Sequence, residues 1–111
     1  MWLFHNVRQK APLLTTCTNQ HIAVQVNMNG QNCIISFIYA STSYVVRRQL
    51  WQELQNTQTQ LPWVVLGDFN AVLGFHEKLG GNLPSTISCA EFGAMIDSCD
   101  LLPKLLQQFF L

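Results

Sequence analysis

Asp68 and Asn70 stand two residues apart at the end of Pro62-Trp63-Val64-Val65-Leu66-Gly67-Asp68-Phe69-Asn70, a carboxylate and a carboxamide delivered by an apolar run. A carboxylate can hold a hard cation or take a proton, and a carboxamide can donate to or accept from a bound oxyanion. Trp63 to Leu66 are apolar without alternation and rich in β-formers, the pattern of a strand covered on both faces in an α/β sheet; Gly67 is expected to end it. Side chains alternate with a period of two in extended chain. Continued extension past Gly67 therefore puts Asp68 and Asn70 on one side, with Phe69 on the other as a buried anchor. Open α/β sheets place their chemistry at such strand ends. Gly, Asp and Asn are also the ordinary residues of turns, so the motif taken alone reads as Asx-turn hydrogen bonding.

Two further segments shift that reading. Ile34-Ile35-Ser36-Phe37-Ile38-Tyr39-Ala40-Ser41 is a strand ending in Tyr-Ala-Ser, and it leads into Arg47-Arg48-Gln49-Leu50-Trp51-Gln52-Glu53-Leu54. Downstream come Glu77-Lys78, Gly80-Gly81 and the helix-like Cys89-Ala90-Glu91-Phe92. In this order, from about Trp2 to about Leu102, the chain closely resembles the endonuclease domain of plant LINE-type (non-LTR) retrotransposons. That domain is a branch of the endonuclease/exonuclease/phosphatase superfamily, which includes deoxyribonuclease I and the abasic-site endonucleases.

The resemblance implies a partial deoxyribonuclease I-like α/β sandwich, a mixed sheet with flanking helices, and hydrolysis of a nucleic-acid phosphodiester assisted by Mg2+. By motif match it assigns catalytic roles to Tyr39, Asp68 and Asn70. Asp68 would orient or deprotonate the attacking water, Asn70 would hold a phosphate oxygen or support the metal, and Tyr39 would donate to a non-bridging oxygen. The family also uses an upstream asparagine and metal-binding glutamate, a later aspartate, and a Ser-Asp-His motif. No segment of this sequence matches these, and His5, His21 and His76 stand in none of those contexts. Glu77 is set aside because nothing ties it to the face of Asp68. The expectation is an incomplete domain over 1–102 with a divergent tail over 103–111, nuclease in ancestry, weak in magnesium binding and inactive as an isolated chain. The alternative is a non-catalytic interaction module, or a retrotransposon remnant without a function of its own.

Composition agrees with a folded core: 49% of the 111 residues are hydrophobic and only 11% are charged. Formal net charge is zero and the estimated pI is 6.8, so the basic surface of a stand-alone DNA binder is missing. With so little charge to solvate half a sandwich, exposed strand edges imply poor solubility or a need for a protein partner. Arg47 and Arg48, the one adjacent basic pair, read as a solvated helix face. Cys17, Cys33, Cys89 and Cys99 lack metal-ligand spacing and are expected to be reduced, in an intracellular protein with no secretory leader and no membrane-spanning run.

The elements that must position the site follow from periodicity. Met1 to Val7 is a candidate strand, punctuated by Lys10 to Pro12. His21 to Val26 alternates as a half-buried strand with His21 on its surface, and Asn29-Gly30 signals a tight hairpin into Cys33 to Tyr39. From Thr42 or Ser43 a helix is expected, over about Tyr44 to Gln55, with Val46, Leu50, Trp51 and Leu54 on one face. Gly74 to Ser85 reads as a long loop. Ser88-x-x-Glu91 forms a capping box for a helix over Cys89 to Leu101 that stops before Pro103.

Overall fold

The computed structural model describes residues 1–5, 11–57, 60–73 and 86–102. The elements run β1 (Leu13–Cys17), β2 (His21–Met28), β3 (Gln31–Tyr39), α1 (Tyr44–Gln55), β4 (Trp63–Asp68) and α2 (Thr86–Ser98). The class is α+β, a mixed four-stranded sheet in the order β1-β2-β3-β4 with two helices. Two compact units divide the chain: Met1–Tyr39 with Thr59–Asp68, and Ala40–Gln58 with Phe69–Leu111.

The first unit is the sheet. Asn29 and Gly30 both take positive φ, 55° and 84°, as a primed two-residue turn requires, and they set β2 antiparallel to β3 with Met28 opposite Gln31. Asn27 stabilises this turn twice, accepting from the Gly30 amide at 3.1 Å and donating through Nδ2 to Asn32 Oδ1 at 3.2 Å. β1 adds antiparallel to β2, its register slipping between Leu14 and Thr16; at that irregularity Thr15 Oγ1 donates to the Ala23 carbonyl at 3.0 Å. β4 joins the far side of β3 in parallel.

Several sequence expectations change here. Residues 1–5 belong to no strand, and Val7 lies outside the described residues; the first strand is Leu13–Cys17, whose two threonines favour extended backbone. His21 is not on the surface. It is 1% exposed, and His21, Ile22, Ala23 and Val24 are all buried, so both faces of β2 are covered along this stretch. β4 is not covered on both faces: Val64 and Leu66, which share one face, are 51% and 41% exposed.

The second unit holds the helices. α1 starts at Tyr44, with Ser43 as its N-cap accepting from the Val46 amide at 3.4 Å. Its buried stripe is Arg47, Leu50, Trp51 and Leu54, while Val46 is half exposed. The spacing of three, four and seven thus runs through an arginine rather than through Val46. Arg47 is 4% exposed and not solvated; Nη1 donates to the carbonyls of Ser41 and Thr42 at 2.9 and 3.0 Å, and Nη2 donates to Ser88 Oγ at 2.8 Å. Burial lowers its pKa while Glu91 opposes the shift. Arg48 is the surface member of the pair: it bridges to Glu91 at 2.9 Å and lies 5.2 Å from the Tyr44 ring centroid.

α2 begins at Thr86, so Ser88 sits inside the helix, where its hydroxyl receives Arg47. It ends at Ser98 rather than at Leu101. Asp100 has φ 54°, the Asp100 amide donates to Asp97 O at 3.1 Å, and the Leu101 amide to Ile96 O at 3.0 Å. That is the Schellman pattern, which closes the last carbonyls without a proline. All four cysteines are unpaired, Cys33 buried and Cys17 exposed, and burial pushes the Cys99 thiol pKa up. No described helix is long and apolar enough to cross a membrane. The 74–85 stretch, with His76 and Glu77, and the 103–111 tail lie outside the described residues.

Burial lowers the His21 pKa from its ordinary 6.5. The unfolded chain therefore binds more protons than the folded one between the lowered value and 6.5, so stability rises with pH through that window and is lost as pH falls below 6.5. Urea midpoints measured from pH 7.5 to pH 5 should fall, and His21→Gln should flatten the slope; an unchanged slope in that variant would assign the pH dependence elsewhere.

Candidate active site

Tyr39 and Asp68 are brought together by strand register. Each is the last residue of its strand, and in the parallel β3–β4 pairing they stand directly opposite one another. Residues opposite in a parallel pair send their side chains to the same face, with backbones about 4.8 Å apart. A phenol and a carboxylate therefore leave one sheet face side by side at the carboxyl ends of neighbouring strands. Both are exposed, Tyr39 at 68%. The Tyr39 backbone is held from its other side as well, its amide donating to Gln20 O at 2.9 Å.

Gly67 makes this register possible. It does not end β4 but lies within it, opposite Ile38, at φ 137°. A Cβ there would overlap the Ile38 carbonyl oxygen and come within 2.8 Å of the Ile38 carbonyl carbon and amide nitrogen. Only a residue without a side chain lets the two backbones approach this closely while β4 still delivers Asp68 opposite Tyr39.

Extended geometry stops at Asp68, so the simple alternation expected for Asp68, Phe69 and Asn70 does not hold. Asn70 turns into the left-handed region at φ 48°, a conformation its short polar side chain tolerates. Within the second unit its Nδ2 donates to the Ala40 carbonyl at 2.8 Å. One of the carboxamide's two N–H donors is thereby committed to the backbone of the residue that follows Tyr39. Phe69 is half buried rather than fully buried, in a trio with Trp51 and Phe92 at centroid distances of 6.4 and 5.4 Å.

Arg47 is the residue that sequence reasoning missed. Its two bonds to Ser41 and Thr42, with the Asn70 bond to Ala40, give every carbonyl of Ala40-Ser41-Thr42 a side-chain donor. The signal was available: Arg47 lies three, four and seven residues before Leu50, Trp51 and Leu54, on the apolar stripe itself. A shallow groove of about 260 Å³ lined by Arg48, Trp51, Gln52, Gln55, Glu91 and Ala94 contains neither Tyr39 nor Asp68.

No group of three or more His, Cys, Asp or Glu side chains could hold a metal among the described residues. Asp68 offers one hard oxygen donor of the kind magnesium takes, and magnesium commonly completes its shell with water and substrate phosphate. No family model matches the chain, and no curated protein matches it in sequence.

Replacing Gly67 tests the register. Gly67→Ala should cost about 3 kcal/mol, since left-handed strain and backbone overlap both act there. Gly30→Ala, also at positive φ but with open space around its Cβ, should cost about 1 kcal/mol in the same urea titration. Equal costs at the two positions would contradict the close approach to Ile38.

Proposed function

We propose that Tyr39 and Asp68 are the phosphate-facing part of a magnesium-assisted phosphodiesterase site of the type found in the LINE-type endonuclease domains that the sequence resembles. The observation that carries this reading is the parallel register, which sets a phenol opposite a carboxylate at two adjacent strand ends. Turn chemistry alone gives no reason for Tyr39 to face Asp68.

Magnesium, when bound, supplies charge to offset what builds on phosphate and leaving oxygen. The Tyr39 hydroxyl donates to a non-bridging phosphate oxygen, and the Asp68 carboxylate orients the attacking water or takes its proton. Asn70 acts chiefly by fixing the backbone after Tyr39, given its 2.8 Å bond to Ala40 O. This differs from the phosphate-holding role that motif matching assigns to it. Phosphoryl transfer depends on positioning and charge stabilisation, and the family's glutamate and Ser-Asp-His motif have no match in these 111 residues. These residues by themselves bind and do not turn over.

The test has a binding arm and a turnover arm. Magnesium titrated into the millimolar range with a short phosphodiester should shift the amide resonances of Tyr39 and Asp68, and Asp68→Ala should remove the shifts. Silence at both positions would sink the site. Supercoiled plasmid incubated with the 111-residue chain and magnesium should be nicked no faster than with Asp68→Ala; robust cleavage lost in that variant would mean the missing roles are filled from within the chain.

A further inference from the structure

We infer that β4 pairs antiparallel with β4 of a second copy of this chain, about a two-fold axis at Val65, joining two four-stranded sheets into one. This reading is independent of any role for Tyr39 and Asp68. It starts from the edge. Among the described residues β4 is the last strand, and its outer side has no neighbour in the sheet. The Ile34 amide donates to Pro62 O at 2.9 Å, which sets the phase of the parallel ladder. In that phase Val64 and Leu66 direct their backbone groups to β3, whereas Trp63, Val65 and Gly67 direct theirs outward.

Natural edges are protected by charge, proline or brevity, and here proline and charge stand only at the two ends, Pro62 and Asp68, leaving Trp63 to Gly67 without either. Two-fold pairing at Val65 uses every outward group: Val65 exchanges two hydrogen bonds with its copy, and Trp63 exchanges two with Gly67 of the copy at each end. Val64 then falls opposite Leu66 of the copy, in the close non-hydrogen-bonded pairing where side chains touch. These are the two apolar side chains of β4 that are exposed, at 51% and 41%, and the symmetry covers each with the other.

The register about Val65 is self-complementary, which favours a second copy, and charge permits it. The two Asp68 carboxylates end at opposite extremes of the paired strands, each opposite Pro62 of the copy, so no like charges meet. The formal net charge of zero leaves no long-range repulsion between copies. A charged partner would find nothing to recognise between Trp63 and Gly67.

Sedimentation equilibrium of the full chain over a concentration series should give a reversible monomer–dimer equilibrium that closes at two copies. Leu66→Lys should raise the dimer dissociation constant about tenfold, with the circular dichroism spectrum unchanged. Adding Val64→Glu to Leu66→Lys should restore the dimer, because in this register alone each introduced carboxylate faces the introduced ammonium of the copy, once on either side of the axis. Val65→Pro, which removes the N–H at the axis from a position that makes no bond to β3, should abolish pairing. A wild-type chain that stays monomeric up to about 100 μM, well above affinities typical of stable complexes, would overturn the inference. So would assembly beyond two copies, or a double variant that fails to recover.

Discussion

A parallel strand pair cannot be closed by a tight turn, and this requirement organises the chain. β3 and β4 run in the same direction, so residues 40–62 must carry the backbone from one end of the sheet to the other, and α1 occupies that crossover. Once the pair is parallel, register alone decides which residues share a strand end. Gly67 holds that register where a side chain would push the strands apart. Tyr39 and Asp68 are 29 positions apart in sequence and neighbours in space for this reason.

The helical unit solves a different problem, the burial of a permanent cation. Arg47 satisfies three of its hydrogen bonds with two loop carbonyls and one hydroxyl, and Glu91 opposes the effect of burial on its charge. Removing one partner would leave a desolvated charge, which is costlier than never having buried it. Lysine is no substitute, since a single ammonium cannot span the fork that reaches Ser41, Thr42 and Ser88 together. Trp51, Phe69 and Phe92 complete the same unit through aromatic contact, with rings tilted or offset at 5.3 to 6.4 Å.

Local chemistry made much of this fold legible. The Asn29-Gly30 turn, the helix over Tyr44 to Gln55 and the strand from Trp63 each carry a signal within a few residues, and each is present. What depended on distant partners was misread. His21 and Arg47 have polar side chains that look solvated in sequence, yet both are buried, with the Arg47 guanidinium donating to Ser88 of α2. The run at β4 looks covered on both faces because composition does not reveal which face of a strand another layer will cover. The C-terminal boundary of α2 moved because Asp100 closes the helix in a left-handed conformation that proline and glycine rules do not anticipate. Of the candidate site, the residue types were legible from motif resemblance. The bond from Asn70 to Ala40 was not, since a carboxamide has no sequence mark for which carbonyl it will find.

The order of the strands has a consequence in time. β1, β2 and β3 are joined by short connections, and a two-residue turn closes the pair with the most extensive register. Such contacts close on microsecond timescales and lose little chain entropy. β4 closes a far longer loop before it gains any hydrogen bond, so it sits at the high-contact-order end of the topology. During synthesis from the N-terminus the meander can be complete while the segment that bears Asp68 has yet to leave the ribosome. Tyr39 is then a placed residue waiting on an open strand edge, and the last strand to arrive is the one that gives it a neighbour.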